Sequence, residues 1–143
     1  MAISWAELEA ADPDLAAFGR ERMEGQVVFQ ASNRRDGAPR VHPVSPWFAE
    51  GQLVLCCRAG SPKVEEFEAD GRYALHSPMD NHDGEGGEFM VRGTMRRIDE
   101  TDPAAAARPF SASYPLAFYV CDVREAVGTT YDGDTPVYRR VRA

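Results

Sequence analysis

The spacing of apolar and polar positions changes several times along the chain, and each change marks an element. Between residues 3 and about 20, Leu8, Leu15 and Phe18 recur at helical spacing among acidic residues, with Ser4 placed to cap the segment ahead of Glu7. Asp12-Pro13 is a natural break at which this helix divides into two shorter ones. From residue 25 the period shortens. "GQVVFQASN" (25–33) reads as a strand, "RRDGAP" carries an Asp-Gly hairpin signal, and "RVHPVSPWF" (40–48) reads as the returning strand. The turn "AEGQ" leads into a third strand, "LVLCCR" (53–58), which completes a meander. A short amphipathic helix over roughly 62–69 ends at Asp70-Gly71, and "RYALHS" (72–77) reads as a fourth strand.

The second half continues in the same style. A polar, Gly-rich loop, "PMDNHDGEGGE" (78–88), precedes the strand "FMVRGTMRRI" (89–98), whose alternation puts Phe89, Val91 and Met95 on one face and Met90, Arg92 and Arg96 on the other. "DETDPAAAARPF" reads as a short helix or turn, "PLAFYVCDVREAVGTTY" as a long strand and "TPVYRRVR" as a short one. Six or seven strands joined mostly by hairpin-length turns, with no βαβ rhythm, predict a mainly β (α+β) antiparallel barrel or sandwich with short helices on its rim. At 143 residues the chain is expected to be one domain, its helical start at about 3–20 and its barrel at about 25–142.

Charge narrows the function classes. A formal net charge of -7, with acids scattered throughout, argues against a nucleic-acid partner, which would need a basic face. There is no basic leader with an apolar core and no apolar run of membrane-spanning length, so no membrane partner is expected and the expected compartment is the cytoplasm. The three cysteines, Cys56, Cys57 and Cys121, have neither zinc-site spacing nor an even count for a disulfide framework.

Two stretches carry candidate chemistry. In "CCRAGSPKVEEFEADGR" (56–72), Ser61 is a good N-cap and Pro62 suits the first helical turn, yet Lys63 then sits at the helix end that already carries positive partial charge. A bound anion held by Arg58, Ser61, Lys63 and the helix amides would compensate, while a plain Ser-Pro cap with solvated cations explains the same residues equally well. The second stretch is "RVHPVSPW", where Pro43 and Pro46 cannot donate to a ladder, as suits an edge strand, and leave backbone groups open to a ligand. Arg40, His42 and Val44 alternate there on one face, with Val41 on the other. Cys56 and Cys57 read as small apolar side chains rather than nucleophiles, and as strand neighbours at most one of them should line a pocket. An EF-hand register through Asn81, Asp83 and Gly84 would begin at Met79 and close at Met90, so both end ligands are missing and no metal site is expected.

Residues 25–99 together resemble the pyridoxamine 5'-phosphate oxidase-like family of FMN-binding split β-barrels. The likeness lies in the order of features: a strand, a D-G turn, an R-x-H-x-x-P-like strand, G-x-L, S-x-K opening a helix, a further turn and strand, and then "GEFMVRGTMRRID". The resemblance implies a homodimer with two FMN sites at its interface and a flavin-dependent oxidoreductase acting on a small molecule. Carried onto this chain, Arg40, Val41, His42, Pro43, Val44 and Ser45 would run beside the flavin ring, with Arg40 also a phosphate ligand. Cys56 and Cys57 would stand in the place of an aromatic-Thr pair, Ser61 and Lys63 would grip phosphate beside Arg58, and Glu88 would stand where a glutamine touches the ring. His42 is the one candidate acid or base, since histidine titrates near neutrality. Ser45 stands where the authentic oxidase has a substrate-binding lysine, and Pro62 interrupts the S-R-K grip, so vitamin B6 oxidation is not expected. A deazaflavin coenzyme is the alternative ligand. A dimer that holds a flavin or another anion without turnover is the alternative function.

Overall fold

Two caps rather than one open the chain. Ser4 and Glu7 form a reciprocal capping box at the start of α1 (Trp5–Ala11), and Asp12 accepts from the Leu15 amide to start α2 (Pro13–Met23). In the computed structural model, which describes residues 1–143, ten further elements follow. They are β1 (Val28–Asn33), β2 (Pro39–Val44), β3 (Trp47–Ala49), β4 (Gln52–Arg58), α3 (Pro62–Ala69), β5 (Arg72–His76), β6 (Glu88–Ile98), α4 (Pro103–Ala106), β7 (Leu116–Asp132) and β8 (Thr135–Arg142). The expected antiparallel architecture with short flanking helices is what the chain adopts. The strand count is eight because Ser45-Pro46 interrupts the 40–48 run, leaving β2 and β3 on opposite ends of the sheet.

All strand pairs are antiparallel, in the order β2-β1-β5-β6-β7-β4-β3, with β8 pairing the far half of β7. The sheet curls into a half-barrel whose inner face carries the main core. Trp5, Leu8, Leu15, Met23, Leu53, Leu75, Phe89, Val91 and Tyr119 all lie there, each at most 1% exposed. Such side chains each contribute about 1.5–3 kcal/mol by leaving water. In β6 the alternation is as the sequence predicts, with Phe89, Val91 and Met95 buried and Arg92 and Arg96 exposed. A second cluster, Trp47, Val54, Ala104, Ala105 and Phe118, packs α4 outside β3 and β4, and the Trp47 indole donates to the Ala104 carbonyl at 2.9 Å.

Two of the open strand edges position the site. β2 ends the sheet and pairs β1 only, through residues 39–44. β4 pairs β3 only from Gln52 to Val54, so Leu55–Arg58 is laddered to β7 alone. The barrel is split between these edges, and α3 follows directly from β4.

Candidate functional site

A cavity of about 510 Å³ occupies that split. Its lining comes from the end of β2 (Pro43, Val44 and the following Ser45), the free edge of β4 (Cys56, Cys57, Arg58), the start of α3 (Ser61, Lys63) and Val27 just before β1. Eight of the twelve site residues singled out from sequence line this one cavity, although their segments lie far apart along the chain. Two of the lining residues are cations and none is a carboxylate, on a chain of net charge -7. The Arg58 guanidinium lies 3.8 Å from the Tyr114 ring centroid, which holds it at the rim without neutralising it. Neither Arg58 nor Lys63 forms an ion pair within the chain.

The start of α3 differs in detail from expectation. Ser61 Oγ accepts from the Lys63 amide at 3.2 Å, the Ser61 carbonyl accepts from the Val64 amide at 3.1 Å, and Pro62 has no N–H. The first-turn amides are therefore largely satisfied from within, and the positive character of the site rests on the Lys63 and Arg58 side chains with the helix dipole behind them.

Both cysteines reach the cavity, correcting the expectation of at most one. Cys57 packs on the main core and Cys56 on the second cluster, so they do face opposite ways, yet the unladdered edge of β4 exposes both. Burial pushes the Cys56 thiol up to about 11, with a smaller push from Cys57, and burial also raises Cys57. At neutral pH both are protonated thiols, which agrees with their reading as apolar side chains.

Four singled-out residues lie outside the lining. Arg40 turns toward α3, where Nε and Nη2 each donate to Glu66 at 2.8 Å; the pair spans β2 and α3, and the guanidinium holds the Glu66 carboxyl below its usual range. Val41 is exposed on the outer face of β2. Glu88 lies at the start of β6, accepting from the Tyr131 hydroxyl at 3.2 Å and lying 3.4 Å from His76 Nε2.

His42 points inward. Its Nε2 lies 2.8 Å from Gln30 Oε1, its ring stacks 6.2 Å from Phe67, and Nδ1 has no partner. Burial, reinforced by the Lys63 and Arg40 charges and opposed by Glu66, lowers its pKa from 6.5 to about 4. Titration near neutrality is thereby corrected: His42 stays neutral and serves as a core hydrogen-bond partner. The unfolded chain takes up this proton near pH 6.5, whereas the folded chain refuses it until about pH 4. Stability therefore falls as pH drops through that window, by up to ~3 kcal/mol from this group. Denaturant titrations between pH 7 and pH 4 are expected to show that loss, and a His42→Gln variant to show a markedly flatter profile. Equal slopes would remove the assignment.

Sequence reasoning missed Val27, Glu66 and Tyr114. Val27 was legible only as a strand residue, and the partnerships of Glu66 and Tyr114 arise from tertiary packing without a local motif. No group of three or more His, Cys, Asp and Glu is arranged to hold a metal ion, and no helix is long and apolar enough to cross a membrane.

No family model matches the sequence, and no curated protein matches it. Solved structures do match the fold. A pyridoxamine 5'-phosphate oxidase-related, FMN binding protein from Nostoc punctiforme aligns with a TM-score of 0.62 at 12% identity, covering 94% of this chain and 95% of that one. A heme binding protein from Mycobacterium smegmatis aligns with a TM-score of 0.64 at 18% identity over 88% of this chain, which spans 57% of the length of that protein. An F420 reductase aligns with a TM-score of 0.59 at 13% identity, covering 75% and 94% of the two chains. The chain has the fold these proteins share.

Proposed function

We propose that this chain is a flavin-dependent oxidoreductase of the pyridoxamine 5'-phosphate oxidase-like type, with FMN seated in the barrel split and a small molecule as substrate. The observation that carries the proposal is the lining of the cavity: two cations and no carboxylate on an acidic protein, at the junction of two open strand edges. Lys63 and Arg58 attract and hold a terminal phosphate, with the Ser61 hydroxyl beside them. Val27, Pro43 and Val44 give the ring an apolar flank, and the unladdered backbone of β2 and β4 offers polar groups to its edge. When bound, the flavin supplies the hydride or electron transfer, and the protein supplies anchorage, orientation and shelter from water. The chain contributes no thiolate nucleophile at this cavity, since both thiols are held protonated, and His42 behind it stays neutral.

The lining also discriminates among the ligands carried by proteins of this fold. It contains no histidine, and its thiols resist ionisation, which favours a phosphate-bearing planar ring over a haem iron. The deazaflavin coenzyme F420 carries phosphate as well and is the alternative. Val27, Phe29 and Val41 leave an apolar stripe exposed on the outer face of the β1–β2 hairpin, beside the cavity. A second copy of the chain covering this stripe would complete the site.

Titration of the purified protein with FMN and with F420, followed by flavin fluorescence and visible absorbance, is expected to give saturable binding of one of them at roughly tens of micromolar or tighter. Binding of neither rules out the oxidoreductase. Binding without reduction by any donor leaves the dimeric binding protein as the function. Sedimentation is expected at twice the 15.8 kDa chain mass. A monomer throughout the micromolar range would exclude a site shared between copies.

A further inference from the structure

We propose a second anion site on the outer face of the sheet, built around a β-bulge and separate from the cavity in the split. Regular alternation along β7 breaks at Val123–Ala126. Val123 and Ala126 both face the core, at 1% and 0% exposure, so the two residues between them are both turned outward, where a regular strand would allow one. Opposite them the register of β6 shifts between Arg92 and Gly93. Gly93 is required there, because a Cβ would stand 2.0 Å from the Asp122 carbonyl oxygen. Bulges re-aim side chains, and this one aims Arg124 into an open cavity of about 430 Å³.

Arg72 from β5, Arg92 from β6 and Arg124 converge on that cavity, with Asn33 and Thr94 among its other polar lining residues. The surrounding carboxylates do not balance the guanidiniums. Asp70 takes Arg72, and Asp122 takes Arg96. Glu125 alone serves Arg92 at 3.0 Å, Arg142 at 2.6 Å and Arg140 at 3.6 Å, while Arg124 has no carboxylate partner. Across this face six guanidiniums, three of them lining the cavity, thus meet three side-chain carboxylates, an excess of positive side chains on a protein that is negative overall. Planar guanidiniums converging from three adjacent strands suit a multiply charged oxyanion, a phosphate or carboxylate group presenting several oxygens. The site lies at the far end of β1 from Val27, about 20 Å along the strand, so it is distinct from the cavity in the split.

Pyrophosphate is the probe, titrated into isotopically labelled wild type, Lys63→Ala and Arg124→Ala while backbone amides are followed by NMR. The expected result is a saturable response at Gly93, Thr94 and Arg124 that persists in Lys63→Ala and weakens about tenfold in Arg124→Ala. Arg124 is exposed, and unchanged amide shifts elsewhere in that variant show that the bulge itself is intact. No saturable response in the wild type up to about 10 mM overturns the site, as it also would if a second copy of the chain covered these arginines. A response that Arg124→Ala leaves unaltered overturns it too.

Discussion

Replacing Lys63 by alanine weakens FMN binding by about 10- to 100-fold, the effect of removing a charge-assisted contact to a phosphate. Lys63 lines the cavity without an ion-pair partner, so its removal leaves no orphaned carboxylate and the fold is expected to survive. The loss is large because only Arg58 and the Ser61 hydroxyl stand in reserve. Pro62 contributes no amide, the Lys63 and Val64 amides are occupied by Ser61, and Arg40 is committed to Glu66 through both carboxylate oxygens. Lys63→Arg is expected to recover part of the affinity, because it restores the charge while altering its reach. Fluorescence titration of the three proteins checks this, and unchanged affinity in Lys63→Ala would remove Lys63 from the site.

Phe89→Ala has the largest expected effect on stability, about 3–5 kcal/mol. Phe89 is fully buried, its ring centroid 6.0 Å from that of Trp5 and 6.4 Å from that of Phe18. It also lies on the bare backbone of α2, where a Cβ on Gly19 would stand 2.6 Å from the ring tip. Truncation opens a cavity that three elements border and that neither a strand nor a rigid helix can collapse to fill. At a few degrees per kcal/mol for a chain of this size, calorimetry is expected to show the melting temperature falling by about 10 °C. A fall of less than about 3 °C would mean that α2 is not fastened to the sheet through this ring.

Much of the fold was legible because alternation and turn chemistry are local. Phe89, Val91 and Met95 announce the buried face of β6 by spacing alone, and Asp12-Pro13 marks the break between the first two helices. The walls of the cavity were legible for a related reason. Prolines that spoil a ladder at Pro43 and Pro46, and a lysine on the wrong end of a helix at Lys63, are local departures from what stability alone would choose. What sequence did not reveal depends on distance. The Arg40–Glu66 pair joins residues 26 positions apart, so a guanidinium expected to hold phosphate proved to hold α3 against β2. The depressed pKa of His42 likewise comes first from burial, beneath Phe67 and beside Gln30, and then from the Lys63 and Arg40 charges, of which only Arg40 lies near it in sequence. The bulge that turns Arg124 outward is written only as an extra residue between two core positions, which looks like ordinary variation until the register of β6 is known.

The split in this barrel is proposed as a seat for the phosphate of a flavin. Parallel titrations of one preparation with FMN and with riboflavin, which carries the same ring without phosphate, test it most directly. FMN is expected to bind at least about tenfold more tightly, and the difference to shrink in Lys63→Ala. Equal affinity for the two ligands, or a preference for riboflavin, would contradict it.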